Sequence, residues 1–290
     1  MQTASPPFAL STFSKPYDWA GIDQQTRDTG GAILSRLVSD ADLEKLDAEV
    51  DSYLQQAAAR GKADSGSERY DQFLGHNTVR LHGLIEKFPS AETLVGHAEI
   101  VDWATRILAR KASSILLNAG ELIQINPGEP HQAAHRDTDS WPIPRDADPF
   151  IVNAIVALDD FTIDNGATAI ALGSWGWNQD RRPRSSEYVR AVMQRGDAVL
   201  FRGDLIHGGG ANRSSDRRRA VSLSYCAGWL RTVENSYLNV SRKTLLRLPA
   251  PIQALLGYDA HDGESLGAGL VGLYENGDPR QFLAQMTVDD

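Results

Sequence analysis

The sequence predicts a mainly β protein of the antiparallel sandwich or jelly-roll kind, with helices flanking the β core. Three observations carry that reading. Between about residues 114 and 230, short apolar runs alternate with Gly, Pro, Asn and Asp, the spacing of an antiparallel β architecture. Within this region Val221, Leu223 and Tyr225 alternate with Ser222, Ser224 and Cys226, the period-2 signature of a strand with one apolar face. On either side the periodicity becomes helical. No linker separates these stretches, so the chain reads as one domain over 1–290. It has a helical N-terminal region over 1–113, a β core of about 114–230 and a helical segment over 231–290.

The elements follow in order. Ser39 and Asp42 have the form of a helix-start capping box, and Leu43, Leu46, Val50, Tyr53 and Leu54 recur at helical spacing behind it. That helix is expected to end within Gln55–Asp64, with a polar loop over Gly61–Asp71. A second helix is expected over Ala91–Lys111, with Ile100, Trp103, Ala104, Ile107 and Leu108 on one face. The candidate strands are Ile115–Leu117, Leu122–Ile125, Phe150–Leu158, Ala167–Leu172, Ala198–Phe201 and Ala220–Tyr225. After Trp229, helices are expected at Ser241–Leu248 and Ile252–Leu256, separated by Pro249 and Pro251.

Composition narrows the function. The 290 residues carry 29 basic and 38 acidic side chains, a net charge of −9, which repels a phosphate backbone and argues against nucleic-acid binding. The longest apolar stretch, Phe150–Leu158, is nine residues with Asn153 inside it, against about 20 for a membrane span. Cys226 is the only cysteine, which excludes an intramolecular disulfide and favours a reducing, cytoplasmic setting. With no signal peptide read at the N-terminus, the sequons at Asn212 and Asn239 become chance matches.

The chemistry concentrates in Pro130–Trp141, PHQAAHRDTDSW. His135 and Asp137 are two apart, so on extended chain both point the same way and can address one metal ion. His207, after a strand, a turn and the pair Leu205–Ile206, is the natural third ligand. Two imidazoles and a carboxylate on one face of an octahedral ion leave positions open, the arrangement of non-haem Fe(II) oxygenases. A His-x-Asp pair alone is common without a metal. Arg218, eleven residues beyond His207 past a glycine-rich hairpin, adds a guanidinium able to grip the far carboxylate of a metal-bound dicarboxylate. Arg217–Arg219 read either as a solvated turn or, on a strand, with Arg218 on the face opposite its neighbours.

Taken together, the motifs His135-Arg136-Asp137, Asp164-Asn165-Gly166-Ala167-Thr168, Gly173-Ser174-Trp175, Arg195 to Phe201 (RGDAVLF) and His207-Gly208-Gly209-Gly210 with Asn212 and Arg218 form one ordered set. The chain resembles the phytanoyl-CoA dioxygenase-like family of Fe(II)/2-oxoglutarate oxygenases, in particular its natural-product branch. The resemblance implies a double-stranded β-helix (cupin-like) core, Fe(II) on His135, Asp137 and His207, 2-oxoglutarate on Arg218, and O2 as oxidant. It also implies that Gln132 and Thr168 bond to 2-oxoglutarate, that Asn77 lines the co-substrate or substrate pocket, and that a homodimer forms. Where the family has Pro-Gly-Ser-His, this chain reads Leu172-Gly173-Ser174-Trp175. The replaced His is not a ligand.

The expected reaction is oxidation of an unactivated C–H bond (hydroxylation, desaturation or rearrangement) in a small, largely apolar natural-product intermediate, releasing succinate and CO2. Asp137 argues against halogenation, because halogenases of this fold lack the carboxylate. The other readings are a non-catalytic jelly-roll protein binding a metal or small molecule, and a cupin-like metal isomerase or hydrolase; neither needs Arg218. Phe73, Leu74, Leu81, Leu84, Trp141, Ile143 and Phe150, with only Arg80 and Arg145 as cations, are expected to form a largely apolar pocket mouth. His131, His76 and His82 read as wall or structural residues, and Asp159-Asp160 as a turn.

Overall fold

The computed structural model describes residues 8–57, 67–144 and 147–287. Its centre is two facing sheets. The larger is built from β1 (Thr12–Phe13), β2 (Gly31–Leu34), β3 (Thr78–Leu81), β4 (Ile115–Ile125), β5 (Ile151–Ala157), β8 (Ala198–Arg202) and β10 (Arg218–Ala227), in the order β1-β2-β8-β5-β10-β4-β3. The smaller contains β6 (Ala169–Ala171), β7 (Val189–Arg190) and β9 (Ile206–Gly208), in the order β7-β6-β9. This is the jelly-roll core that the strand spacing predicts.

Alternation along the strands divides the interior. Val221, Leu223 and Tyr225 of β10 join Val152, Ala154 and Val156 of β5 and Leu200 of β8 on the outer face of the large sheet. Helices cover that face: α1 (Trp19–Asp28), α2 (Asp40–Ala57) and α6 (Ala98–Leu108). From α6, Ile100, Trp103, Ala104 and Leu108 are fully buried there. The Tyr225 hydroxyl donates to the Val95 carbonyl at 2.7 Å, which satisfies a polar atom in an otherwise apolar layer. Between the sheets, Ile155, Val199, Phe201, Ile170 and Leu172 form a second cluster at one end. The other end stays open as a cavity.

Half of the capping box forms: the Asp42 N–H donates to Ser39 Oγ at 3.2 Å at the start of α2, while the Asp42 carboxylate accepts from the Ser39 hydroxyl at 2.6 Å. α2 is described to Ala57, and most of the stretch in which its end was expected, Gln55–Asp64, lies outside the described residues, as does most of the expected Gly61–Asp71 loop. The loop reading is corrected at its end, where α3 (Glu68–Leu74) starts from an N-cap at Ser67. The helix expected over Ala91–Lys111 is broken: α4 (Leu84–Lys87), a 3-10 turn at Pro89–Ala91 and α5 (Glu92–Val95) precede Gly96, and α6 starts after His97. The two runs at Ile115–Leu117 and Leu122–Ile125 form one strand, with a bulge at Asn118 that leaves Ala119 opposite Ser224 and Leu117 opposite Tyr225. The first 113 residues also contribute three strands to the large sheet. Gly31–Leu34 is buried on both faces, and so short that no periodicity distinguishes it.

Beyond β10 lie α7 (Ser236–Asn239), α8 (Arg242–Arg247) and α9 (Ala250–Leu255). A two-stranded hairpin of β11 (His261–Asp262) and β12 (Leu270–Val271) interrupts the helical segment expected there. Among the described residues, no helix is long and apolar enough to cross a membrane.

The turn between β8 and β9 is fixed by a buried, two-pronged ion pair. Arg202 donates to both Asp204 oxygens, at 2.9 and 2.7 Å, with side chains 2% and 3% exposed. The guanidinium also lies 4.4 Å from the centre of the Trp175 ring. The Trp at the departure from the family motif therefore has a packing role. Asp204→Ala leaves a buried cation without its partner and is expected to cost about 3–5 kcal/mol, read as a lower denaturant midpoint at unchanged slope.

Candidate active site

The site starts from backbone pairing. The segment before Asp137 runs antiparallel to β9: His135 and His207 exchange N–H···O bonds of 3.0 and 2.9 Å, and the Gln132 N–H donates to the Gly209 carbonyl at 2.9 Å. Residues opposed in this way project to the same face. The two imidazoles consequently lie with ring centres 4.4 Å apart. Asp137, two further on, returns to that face as its N–H bonds to the Gly203 carbonyl.

One ligand atom from each of His135, Asp137 and His207 lies within 4.8 Å of the others. His135 Nε2 is 3.5 Å from one Asp137 oxygen, and His207 Nε2 is 3.8 Å from the other. Nδ1 of each imidazole meets the carbonyl two residues back, Ala133 at 3.1 Å and Leu205 at 3.0 Å. An Nδ1–H donated in this way leaves the Nε2 lone pair for a metal. Asn153 of β5 donates to Asp137 at 2.6 Å and orients the carboxylate. Phe73 and Phe201 stand edge-on to the two imidazoles, at 4.8 and 4.9 Å.

The electrostatics agree with a ligand set. Burial pushes His207 down to about 4, against the pull of Asp137, so the imidazole is neutral at physiological pH. Burial opposes the Asp137 charge, but the two imidazoles and Asn153 outweigh it and hold the carboxyl down at about 2. An ionised carboxylate and neutral imidazole are the forms that bind metal.

A cavity of about 400 Å³ opens beside the three residues. Arg218 projects into it and is 3% exposed, while Arg219 on the other face reaches Asp47 and Asp51. Alternation therefore separates the two arginines, but both are buried; neither is a solvated turn residue. Arg218 donates to the Gly166 carbonyl at 2.6 Å and lies over the Phe161 ring, yet its buried Nε has no partner among the described residues. Burial, then repulsion from Arg80, lowers it to about 9, which still leaves a cation at neutral pH. A buried cation with an unused donor suits a carboxylate. Gly166 permits the close approach: it has φ +93°, and a Cβ there would sit 2.6 Å from the Gly210 carbonyl oxygen. Asn212 ties down the hairpin before Arg218 through Ile125 and Asp216 carbonyls.

Gln132 and Thr168 also line the cavity. Gln132 is held between the Gly209 N–H and the Phe73 carbonyl, at 3.1 and 3.3 Å. Asn77 does not line it. Its N–H bonds to the Glu129 carboxylate and its carbonyl accepts from Asn126, so it serves the turn before β3.

Of the residues expected at the mouth, only Phe73, Leu74 and Arg80 line the cavity. Leu84 is in the helix-covered core with Leu81 packed against it, whereas Trp141, Ile143 and Phe150 form a separate cluster. Arg145 lies outside the described residues. His131 lines a different cavity, along with Arg190 and Tyr188.

Glu121 and Asn153 were not singled out from the sequence as site residues. Asn153 did carry a signal: an amide inside a nine-residue apolar run needs a buried partner. Arg80 and His82 flank Glu121, at 2.8 and 2.9 Å, and Glu234 stands 3.7 Å from His82.

Two histidines and one carboxylate on a jelly-roll wall, beside a buried arginine, define the class of non-haem iron oxygenases with open coordination positions. The comparisons agree. The phytanoyl-CoA dioxygenase (PhyH) family profile matches residues 26–220, and the chain belongs to that family. Dioxygenase swnH1 of Metarhizium robertsii is 31% identical over 276 residues, covering 89% of this chain and 86% of the relative. Dioxygenase swnH2 of Arthroderma benhamiae is 30% identical over 275 residues (88% and 83%). Dioxygenase FUM3 of Gibberella moniliformis is 30% identical over 247 residues (82% and 81%).

Among solved structures, the non-heme alpha ketoglutarate dependent carbocyclase SnoK from nogalamycin biosynthesis superposes with a TM-score of 0.59, 20% identity and coverage of 75% and 88%. The epimerase SnoN in complex with Fe3+, alpha ketoglutarate and nogalamycin RO gives 0.56 at 18% identity, with coverage of 74% and 85%. The protein is an oxygenase of the iron- and 2-oxoglutarate-dependent type.

Two outcomes are expected. His135→Ala, Asp137→Ala and His207→Ala each abolish high-affinity Fe(II) binding, measured by anaerobic titration, while circular dichroism stays native; full binding in any of them removes that residue from the set. Separately, contacts with Glu121 and then Glu234 raise His82 to about 10 from an ordinary 6.5. Its charged form is favoured in the folded state, so its contribution is complete below about pH 6.5 and is lost as pH rises toward 10. The stability difference from His82→Gln, measured by denaturant unfolding, shrinks across that window.

Proposed function

We propose that the protein is an Fe(II)/2-oxoglutarate-dependent dioxygenase that oxidises an unactivated C–H bond of a small natural-product intermediate, releasing succinate and CO2. Arg218 carries this reading. A buried guanidinium with an unpartnered Nε, in the same cavity as three convergent metal donors, suits a dicarboxylate spanning ion and arginine. A metal isomerase or a plain binding protein has no use for that cation.

The bound iron and 2-oxoglutarate supply the oxidising chemistry, with dioxygen as oxidant. The chain's task is to hold, orient and shield. His135, Asp137 and His207 would hold the ion. Arg218 would take the far carboxylate, with Thr168 and Gln132 lining the same cavity. Asn153 fixes the carboxylate of Asp137, and Phe73 and Phe201 keep water from the imidazole edges. Retention of Asp137 supports oxygenation over halogenation. The relatives' names support a dioxygenase, and the enzymes of nogalamycin biosynthesis support the natural-product setting.

The test is anaerobic addition of Fe(II) and 2-oxoglutarate, expected to give a weak visible metal-to-ligand absorption; its absence in folded protein overturns the reading. In Arg218→Ala, the loss of a buried charge partner, about 3–5 kcal/mol, raises the 2-oxoglutarate requirement by roughly two to four decades with Fe(II) binding retained. Arg217→Ala changes it far less.

A further inference from the structure

The cavity is lined largely by apolar side chains, among them Phe73, Leu74, Ile123, Ile125 and Phe201, but beyond the metal donors a row of polar groups keeps hydrogen-bonding capacity that the protein does not use up. Inward positions of β10 run Arg218, Ala220, Ser222, Ser224, while Val221 and Leu223 between them pack under the helices. Ser222 lines the cavity, and its hydroxyl makes no hydrogen bond within the described residues. Ser224 Oγ accepts from Asn118 Nδ2 at 3.1 Å, so its own proton is free to be donated. Asn118 reaches the wall because the bulge in β4 turns it inward, where its Oδ1 is anchored by the Val233 N–H at 2.9 Å. Across β10, Asn153 pairs in register with Ser224; its Nδ2 is spent on Asp137 and its Oδ1 has no donor within the described residues.

The charges of Glu121 and Arg80 at this end are already paired. Glu121 gives one oxygen to Arg80 and the other to His82, and Arg80 also donates to the Leu74 carbonyl. What remains for a ligand is a row of neutral donors and acceptors next to the metal donors. An apolar molecule seated there would strip water from these groups and offer nothing in return, at about tenfold in affinity for each group left unpaired.

Resting on the proposed oxygenase reading, we propose that the substrate is a compact molecule bearing hydroxyl or amine groups, which Ser222, Ser224 and Asn153 recognise beside the apolar part of the wall. The cavity of about 400 Å³ is shared with the co-substrate and sits near the lower end of small-molecule sites, which keeps the substrate small. The hydroxyls select among substrates in the way that a site built for a hydroxyl rejects the analogue lacking it.

The test uses Fe(II)- and 2-oxoglutarate-loaded protein under anaerobic conditions. Matched pairs of saturated mono- and bicyclic compounds, each diol or amino alcohol beside the analogue with those groups replaced by hydrogen, are titrated by calorimetry. The hydroxylated or aminated members are expected to bind at least tenfold more tightly. In the Ser222→Ala/Ser224→Ala double variant that preference collapses by about tenfold or more, while 2-oxoglutarate affinity and melting temperature stay unchanged. Tighter binding of the apolar members, binding of neither member of any pair, or an undiminished preference in the variant overturns the proposal. The absorption of the iron and 2-oxoglutarate complex, recorded on the same sample, separates the two levels: its presence with no polar preference removes this inference alone, and its absence removes both.

Discussion

The mutual hydrogen bonding of His135 and His207 is the interaction on which the site depends. Antiparallel pairing puts opposed side chains on one face, so one pair of N–H···O bonds brings together two imidazoles that are 72 residues apart in the chain (207 minus 135). Asp137 needs no further device than the two-residue repeat of extended chain. The rest of the fold holds that pairing in place. The Arg202–Asp204 pair fixes the turn into β9, and Ser174 Oγ accepts the Ile206 N–H at 2.7 Å. Arg136, between the two ligands, points away from them and donates to the Ser174 carbonyl.

β10 performs two tasks because of its alternation. Its outward residues bury Val221, Leu223 and Tyr225 against helices and anchor the large sheet. Its inward residues are a cation, a methyl and two hydroxyls along the cavity. A one-residue slip would exchange these faces, placing Arg219 in the cavity and Ser222 under α6. The ion pairs of Arg219 with Asp47 and Asp51 of α2 oppose such a slip, because they reward only the observed register. The helical layer thereby contributes to a site it does not touch.

Much of this was legible in the sequence, and the reasons are physical. The His-x-Asp spacing, the strand–turn run into His207 and the face of Arg218 follow from a period of two, which local sequence states directly. Where the reading failed, longer-range facts decided. Gly31–Leu34 is too short to have a period, and Gly96 breaks an otherwise continuous helical pattern. Asn77, assigned by likeness, belongs to a turn. Trp141, Ile143 and Phe150 are apolar and near Asp137 in sequence, but they pack on one another and on Leu230. Apolar composition distinguishes poorly between a pocket wall and a small core, since both bury the same residues.

The unused donor of Arg218 has a consequence for the life of the protein between turnovers. A guanidinium kept out of water, with no carboxylate in contact among the described residues, is a standing charge on the folded state, and a dicarboxylate that binds only the folded chain relieves it. Mass action then links persistence of the fold to metabolite supply: at a hundred times its dissociation constant such a ligand adds about 2.7 kcal/mol. A cell rich in 2-oxoglutarate would therefore carry a longer-lived pool of this enzyme than a starved one, without any change in its synthesis.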